Sequence, residues 1–520
     1  MHGCMTRRLA WALALAVTCG TSVARGQQYE AQVVPGPAGY AAVQTPVVQQ
    51  VSAMEAADGN SKLAADVADL KKQLKEMKDK ETAAKAKVPM SPQIGGMIQM
   101  DAATFSQQGA SVANYGTVQN GFEFRRARLS AAGEGWNVID YKIEMDFAVL
   151  ASGGAGGVTS GTLAGYVKPL EQVDMKDCYI TIKELPLLGN VRMGHIKEPF
   201  GLEQQTSDRF STFMERSIAD EGALVPARQN GVLAFNWMEG ERATWAAGIF
   251  RTNVVAPPDF INWGNAGNMS ATGRVTCLPW YDEATEGRGL LHIGLASSYR
   301  DMGTSPPGAS GLNVFGMAAR PEAHLAPKVV GVTGGNRGMP NVIDYKLIGT
   351  ELAYVYGPLS FQTEYYGAFM NLLNGGAADS YVSGGYAYVS YFLTGENRPY
   401  NKKAGCFDRL KPYENFFRVS DEDGCVQTGI GAWEVGYRYS WLDLNDGSTA
   451  NAFQGGLAID HTLGLNWYLN PNLRLMWNYV HSTDTPGVNT ANSISTGTLN
   501  VGNTGKGYLD TFEMRAAPDF

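Results

Sequence analysis

The sequence predicts an all-β transmembrane barrel of sixteen antiparallel strands, preceded by an N-terminal coiled-coil helix. Three observations carry this reading. From residue 93 onwards apolar and polar residues alternate with period two. The connections between the alternating runs are short and long in turn. Beyond the N-terminus no apolar run reaches the roughly 18 residues that a membrane-spanning helix needs, which counts against an inner-membrane protein and says nothing against a barrel, whose strands alternate.

The alternation is read residue by residue. Tyr141, Ile143, Met145 and Phe147 alternate with Lys142, Glu144 and Asp146; Val435, Tyr437, Tyr439 and Trp441 alternate with Glu434, Gly436, Arg438 and Ser440. Leu463, Leu465, Trp467 and Leu469 alternate with Gly464, Asn466 and Tyr468, and Leu473, Leu475, Trp477 and Tyr479 with Arg474, Met476 and Asn478. One face is apolar and aromatic, the other polar and charged. A soluble sandwich also alternates, so a single strand does not decide the class. Connection lengths do. Strands are predicted at 93–105, 121–134, 138–148, 174–184, 189–196, 229–237, 243–251, 270–279, 289–299, 345–357, 359–369, 380–393, 430–443, 457–469, 472–481 and 507–520. Links such as ELPLLG, GPLS and NPN separate long segments such as 149–173, 197–228, 300–344 and 482–506. Tight turns at one rim and long loops at the other mark an outer-membrane barrel. One connection, 394–429, is long where a tight turn is expected, and it reads as a separate periplasmic subdomain. Phe520 supplies an aromatic at the end of the last strand.

Composition agrees. The 520 residues include 62 glycines, 24 tyrosines and 10 tryptophans, as half-buried strands with frequent turns require. The formal charge of −8 argues against nucleic acid as a partner. Residues 1–26 read as a signal peptide: Arg7 and Arg8, a short apolar run at 9–17, and Ala24-Arg25-Gly26 at the cleavage position. A flexible linker follows over 27–60, rich in Gln, Val, Pro and Ala. Over 61–87 a coiled-coil stalk is expected, with Leu63, Val67, Leu70, Leu74 and Met77 spaced by four and three. Its bland alternative is a solvated single helix. The barrel domain takes residues 90–520.

Of the six cysteines, Cys4 and Cys19 fall in the signal. Cys406 and Cys425 lie near each other in the irregular connection and are expected to form a disulfide, worth roughly 3 kcal/mol in the chain-entropy model. Cys178 and Cys277 read as small residues on the apolar face. Catalysis finds no support: no two of the six histidines have a zinc-pair spacing, and neither GxxxxGK[ST] nor GxSxG occurs. Glu144 and Asp146 share one side of a strand and could serve acid–base chemistry, but lumen polarity explains them. The segment DLNDG at 443–447 fails calcium-loop spacing beyond its first two ligands. No enzyme and no cofactor is expected.

Four blocks resemble the phosphate-selective porin O and P family: 120–147 (NGFEFRRARLSAAGEGWNVIDYKIEMDF), 176–217 (with GNVRMGHIKEPF and FMERS), 393–400 (LTGENRPY) and 431–446 (GAWEVGYRYSWLDLND). The resemblance implies a sixteen-stranded trimeric channel in the outer membrane whose third long loop folds into the lumen. It also implies that some members prefer phosphate or other anions, through arginines along the path and lysines at the constriction. In this chain the loop would be 197–228. Its bases are Lys197, Arg209, Arg216 and Arg228; its acids are Glu198, Glu203, Asp208, Glu215, Asp220 and Glu221, a net of −2 that departs from what an anion filter needs. The alternation adds Arg126, Arg128, Arg192, Arg274, Arg438 and Arg474 on the lumen face. These could pass an oxyanion along a column of guanidinium groups, or pair with Glu144, Asp146 and Glu434 on neighbouring strands.

The expectation is therefore a porin exported to the outer membrane, with outer-membrane lipid around it. It would pass small ions and solutes, with inorganic anions or phosphate as permeants, as a homotrimer. One alternative is a structural anchor that tethers the envelope through its stalk. A second is a secreted, soluble β-rich binding protein.

Overall fold

Each predicted alternating run does become one strand. A computed structural model of the chain describes Lys72 and residues 90–148, 173–221, 224–251, 269–301, 316–333, 342–372, 380–420, 426–446, 453–486 and 505–520. The expected signal, linker and stalk fall outside the described residues except for Lys72. The strands are β1 (Gln93–Gln107), β2 (Gly121–Gly135), β3 (Ile139–Asp146), β4 (Asp174–Leu185), β5 (Gly189–Lys197), β6 (Arg228–Trp237), β7 (Ala243–Arg251) and β8 (Met269–Tyr281). They continue as β9 (Gly289–Asp301), β10 (Val342–Tyr356), β11 (Leu359–Leu372), β12 (Ser380–Phe392), β13 (Ala432–Asp446), β14 (Phe453–Asn470), β15 (Leu473–Pro486) and β16 (Gly507–Pro518). Every strand pairs antiparallel with its chain neighbour, and β16 pairs back onto β1 to close the barrel.

The pleat sends alternate residues to opposite sides, so the period-two pattern sorts the wall. Ile143, Ile180, Val275, Leu295 and Leu463 are exposed on the outside. Between them Glu144, Thr181, Arg274, Ala296 and Thr462 point inward and are buried. Cys178 and Cys277 carry free thiols and belong to the outward set, Cys277 being exposed. Cys406 is also a free thiol, and Cys425 lies outside the described residues, so the expected disulfide is not part of the described structure.

A register shift in the first hairpin changes which side chains face the lumen. Gln99 pairs with Arg126 while Met100 pairs with Phe124, which leaves Arg125 as the extra residue of a β-bulge. A bulge breaks the alternation locally. Arg125 and Arg126 therefore both reach carboxylates inside the barrel.

Three segments between strands fold into the lumen. The first is the 198–227 connection, which contains a short helix, α1 (Leu202–Gln205). The second includes the hairpin of 316–319 with 330–333, whose Met317, Val329 and Val330 pack with the inward Leu442, Leu444 and Ala458. The third is the unusual connection after β12. Its length predicts a subdomain hanging off the barrel, and its first half does the reverse. Tyr400 and Phe407 pack with the inward Leu278, Leu290, Ala353 and Val355, and Arg274 Nη2 donates to the Gly405 carbonyl at 2.9 Å. The inner wall thus offers apolar patches as well as charged groups, and ion pairs between inward loops and its charged parts are held better there than in water.

Candidate functional site

The loop 198–227 crosses the lumen and is fastened to the far wall by its acids. Glu203 Oε1 accepts from Arg438 Nη1 at 3.0 Å, and Glu198 takes two contacts from Arg300 Nη1 at 2.8 and 3.0 Å. Asp208 Oδ2 accepts from Arg128 Nη1 at 2.8 Å, lies 3.3 Å from Arg126 Nε, and its other oxygen pairs with Arg216. Glu215 is held by Arg125 through two bonds of 2.8 Å and by Arg515. The helix α1 begins on the far wall: the Glu203 amide donates to Glu364 Oε2 at 2.8 Å. A carboxylate at a helix start satisfies amides that the helix leaves open.

These pairings set the protonation of the loop. Burial pushes the Asp208 carboxyl up, but Arg126, Arg216 and Arg128 outweigh it and hold the group well below the usual carboxylate range. Glu215 is held down in the same way by Arg125, Arg126 and Arg515. Asp220 is the exception. Burial drives it well above its ordinary value, Arg216 at 3.9 Å opposes that only partly, and Glu203 and Glu364 add repulsion. Both its carboxylate oxygens lack a hydrogen-bond partner.

Between the loop and β1–β6 lies a cavity, which one of the loop's acids, Asp208, helps to line. This cavity, about 250 Å³, is lined by six cations, Arg128, Lys142, Arg192, Lys197, Arg209 and Arg228, against three carboxylates, Glu144, Asp177 and Asp208. Of the six acids counted along 197–228, only Asp208 is among the residues lining this cavity. Arg228 Nε donates to Asp177 at 2.6 Å, and Lys142 bridges Asp177 and Glu144 at 2.8 and 3.0 Å. Arg209 lies 4.0 Å from Glu144 and 3.7 Å from Asp519, with Nε and Nη2 making no hydrogen bond. Arg192 and Lys197 have no carboxylate within ion-pair distance among the described residues. Arg192 donates to Thr181 Oγ1 at 2.9 Å and lies over the rings of Tyr179 and Phe235, 4.1 and 4.9 Å from their centroids. Lys197 Nζ donates to the Gln204 and Thr206 carbonyls at 2.7 and 3.3 Å.

The ten basic residues singled out from the sequence thus divide. Arg128, Arg192, Lys197, Arg209 and Arg228 line the cavity. Arg126, Arg216, Arg274, Arg438 and Arg474 serve as fasteners. Arg274 makes a two-bond contact with Glu351 at 2.8 and 2.7 Å, and Arg474 donates to the Ser211 and Asp208 carbonyls at 2.6 and 3.0 Å. The expected pairing across neighbouring strands holds for Arg128 with Asp146, at 2.9 Å. For Arg274 and Arg438 the partners are Glu351, two strands away, and the carboxylates of inward loops. Sequence reasoning misses Lys142, Arg300 and Arg515, although strand parity places all three on the lumen face. Arg125 has no such signal, because only the bulge turns it inward.

A family model described as "Phosphate-selective porin O and P" matches residues 93–501. The chain belongs to that family. It is an outer-membrane porin, a channel protein, and the match takes in β1 to β15 and all three inward segments. Porin O of Pseudomonas aeruginosa is 27% identical over 74% of this chain and 82% of its own length. An uncharacterised protein of Caulobacter vibrioides is 25% identical over 69% of this chain and 62% of its own length. Among solved structures, the anion-selective porin of Comamonas acidovorans aligns at a TM-score of 0.44 and 12% identity, over 82% of this chain and 99% of that one. OmpT of Vibrio cholerae, in a trimer form, aligns at 0.44 and 11%, over 83% of this chain and 100% of that one.

Proposed function

We propose that this porin passes small solutes by passive diffusion with a preference for inorganic oxyanions, phosphate among them, and that it works as a homotrimer. The carrying observation is the cavity beside β1–β6, with six basic side chains against three carboxylates and with Arg192 and Lys197 outside ion-pair distance of any carboxylate among the described residues. An oxyanion entering there exchanges part of its water for charge-assisted N–H donors. The same cavity repels cations. Conduction needs sites that bind weakly enough to release, and several half-compensated cations in sequence meet that need better than one tight clasp.

The test is single-channel recording of the detergent-purified protein in a planar bilayer. Reversal potentials are taken in a salt gradient and phosphate is added as a competitor. Current steps in threes, anion selectivity and block by phosphate are the expected results. Cation selectivity would keep the porin and overturn the anion preference; single, independent steps would overturn the trimer.

A further inference from the structure

Residues 415–417 and 429–430 of the connection after β12 lie against the outside of the barrel. The Phe416 amide donates to the Leu469 carbonyl of β14 at 2.6 Å, and Gly429 N to the Asn415 carbonyl at 3.1 Å, so residues 415–417 and 429–430 are pinned to the outer edge of the wall at the rim of tight turns. The indole N–H of Trp467 donates to the Ile430 carbonyl at 2.8 Å. Apolar exposure, aromatic continuity with the wall and a strained backbone coincide on this pinned piece.

First, it presents apolar side chains to solvent. Leu393, Phe417 and Ile430 are each 60% exposed or more, and Phe416 is 37% exposed. A contiguous apolar group of this kind marks a contact surface, whereas single exposed apolar residues do not. Second, the group continues the barrel's own outward aromatics. Trp433 and Trp467 stack on the outer wall with centroids 4.9 Å apart, and Phe416 meets Trp467 edge-on at 4.7 Å. Trp280, Tyr354 and Tyr356 form a second cluster at the same rim. Aromatic rings at the ends of the strands are where a barrel meets the membrane–water boundary. Third, Phe417 holds a φ of 63°. A bulky residue in the left-handed region is a local strain that the surroundings must sustain. Here it turns the ring outward.

We infer that residues 413–417 with Leu393 and Ile430 form a membrane-interface wing, seated in the phospholipid leaflet that faces the tight-turn rim. Continuity with the lipid-facing wall decides this occupant over a second copy of the chain. The apolar surface runs without a break from the wall through the stacked tryptophans to the phenylalanines. Lys411 and Glu414, next to these rings in the chain, are exposed. The wing fastens the unusual connection to the bilayer while its other half occupies the lumen, so the two halves of one segment face lipid and water respectively. The inference rests on the barrel spanning a membrane, and the experiment carries a separate control for that.

The full chain is prepared in phospholipid vesicles with a photoreactive p-benzoylphenylalanine at one position at a time, and adducts are read by mass. Ile348, outward in the middle of β10 and 43% exposed, reports the spanning wall. Glu286, exposed in the turn between β8 and β9, reports water at the same rim. The expected result is a phospholipid adduct at 417 as at 348, absent at 286. An adduct at 348 with none at 417 overturns the wing alone. A cross-link from 417 to a second copy replaces lipid with a neighbouring subunit and also overturns it. No adduct at 348 removes the membrane barrel and the wing together.

Discussion

Arg192 and Arg438 are the same side chain on the same face of the wall, yet their surroundings give them opposite tasks. Arg438 is fully buried and binds Glu203, Glu322 and the Glu215 carbonyl. Removing one partner of a buried ionic cluster leaves charge uncompensated, so Arg438→Ala should cost about 3–5 kcal/mol. It should also lower the temperature at which the folded form loses its compact electrophoretic mobility in detergent. Arg192 clasps no carboxylate. Arg192→Ala should lose the Thr181 hydrogen bond and the ring contacts, about 1–2 kcal/mol, while the anion-to-cation permeability ratio falls in reversal-potential measurements. Lys197→Gln should act in the same direction, and an unchanged ratio in both variants would remove them from the path. Protonation separates the loop acids in the same way. Asp208 and Glu215 have depressed folded values. Their stabilisation is complete above about pH 4.3, declines as the unfolded chain takes up protons, and is gone once the pH passes below the folded values. Asp220 has the opposite sign. Its charge costs stability above its raised folded value, and acid relieves that cost as the pH falls through it. Denaturation temperatures across a pH series should therefore show Asp208→Asn flattening the acid limb and Asp220→Asn raising stability at neutral pH.

At the scale of elements, the strands were legible because a wall between lipid and water enforces period two on every residue it contains. Val435, Tyr437 and Tyr439 face out and Glu434, Arg438 and Ser440 face in, as the pattern alone requires. The loops carry no such constraint. The direction of 198–227 depends on which acids meet Arg438, Arg300 and Arg515, residues between about 100 and 300 positions away in the chain. Counting its charges does not show which of them line the cavity, since a count ignores which charges the wall takes. The bulge at Arg125 and the inward fold of 398–410 are hidden for the same reason: each is settled by distant partners. The placement of α1 by Glu364 gives this a measurable form. Glu364→Ala leaves the amides at the start of α1 without their acceptor inside the barrel. An unsatisfied buried donor costs about 1–3 kcal/mol. The expected outcome is a loop that fluctuates: open-channel current noise rises while the strands keep their β-sheet circular dichroism. A quiet channel would mean that the salt bridges of Asp208 and Glu215 position the loop by themselves.

For the whole molecule, closure is what turns sixteen marginal ribbons into one structure, because a barrel has no unpaired edge to expose to hydrocarbon. The seam joins β1 to β16, so its contacts span nearly the full length of the domain and are the most non-local in the fold. It is completed beyond the last strand by Gly96 N donating to the Phe520 carbonyl at 2.9 Å and Phe520 N donating to the Gly96 carbonyl at 3.1 Å. Glycine is required at this point by space. A Cβ on residue 96 would stand 2.6 Å from the Phe520 ring and 2.6 Å from the Arg128 carbonyl. The ring can swing away; the backbone carbonyl belongs to the paired strand and cannot. Gly96→Val should therefore weaken the seam and leave the rest of the wall unchanged. Because all strands share one closed hydrogen-bonded ring, that local defect should appear as a lower unfolding temperature of the entire barrel in detergent, with a single transition. Two transitions would show instead that the seam opens independently and that the other strands hold the lumen without it.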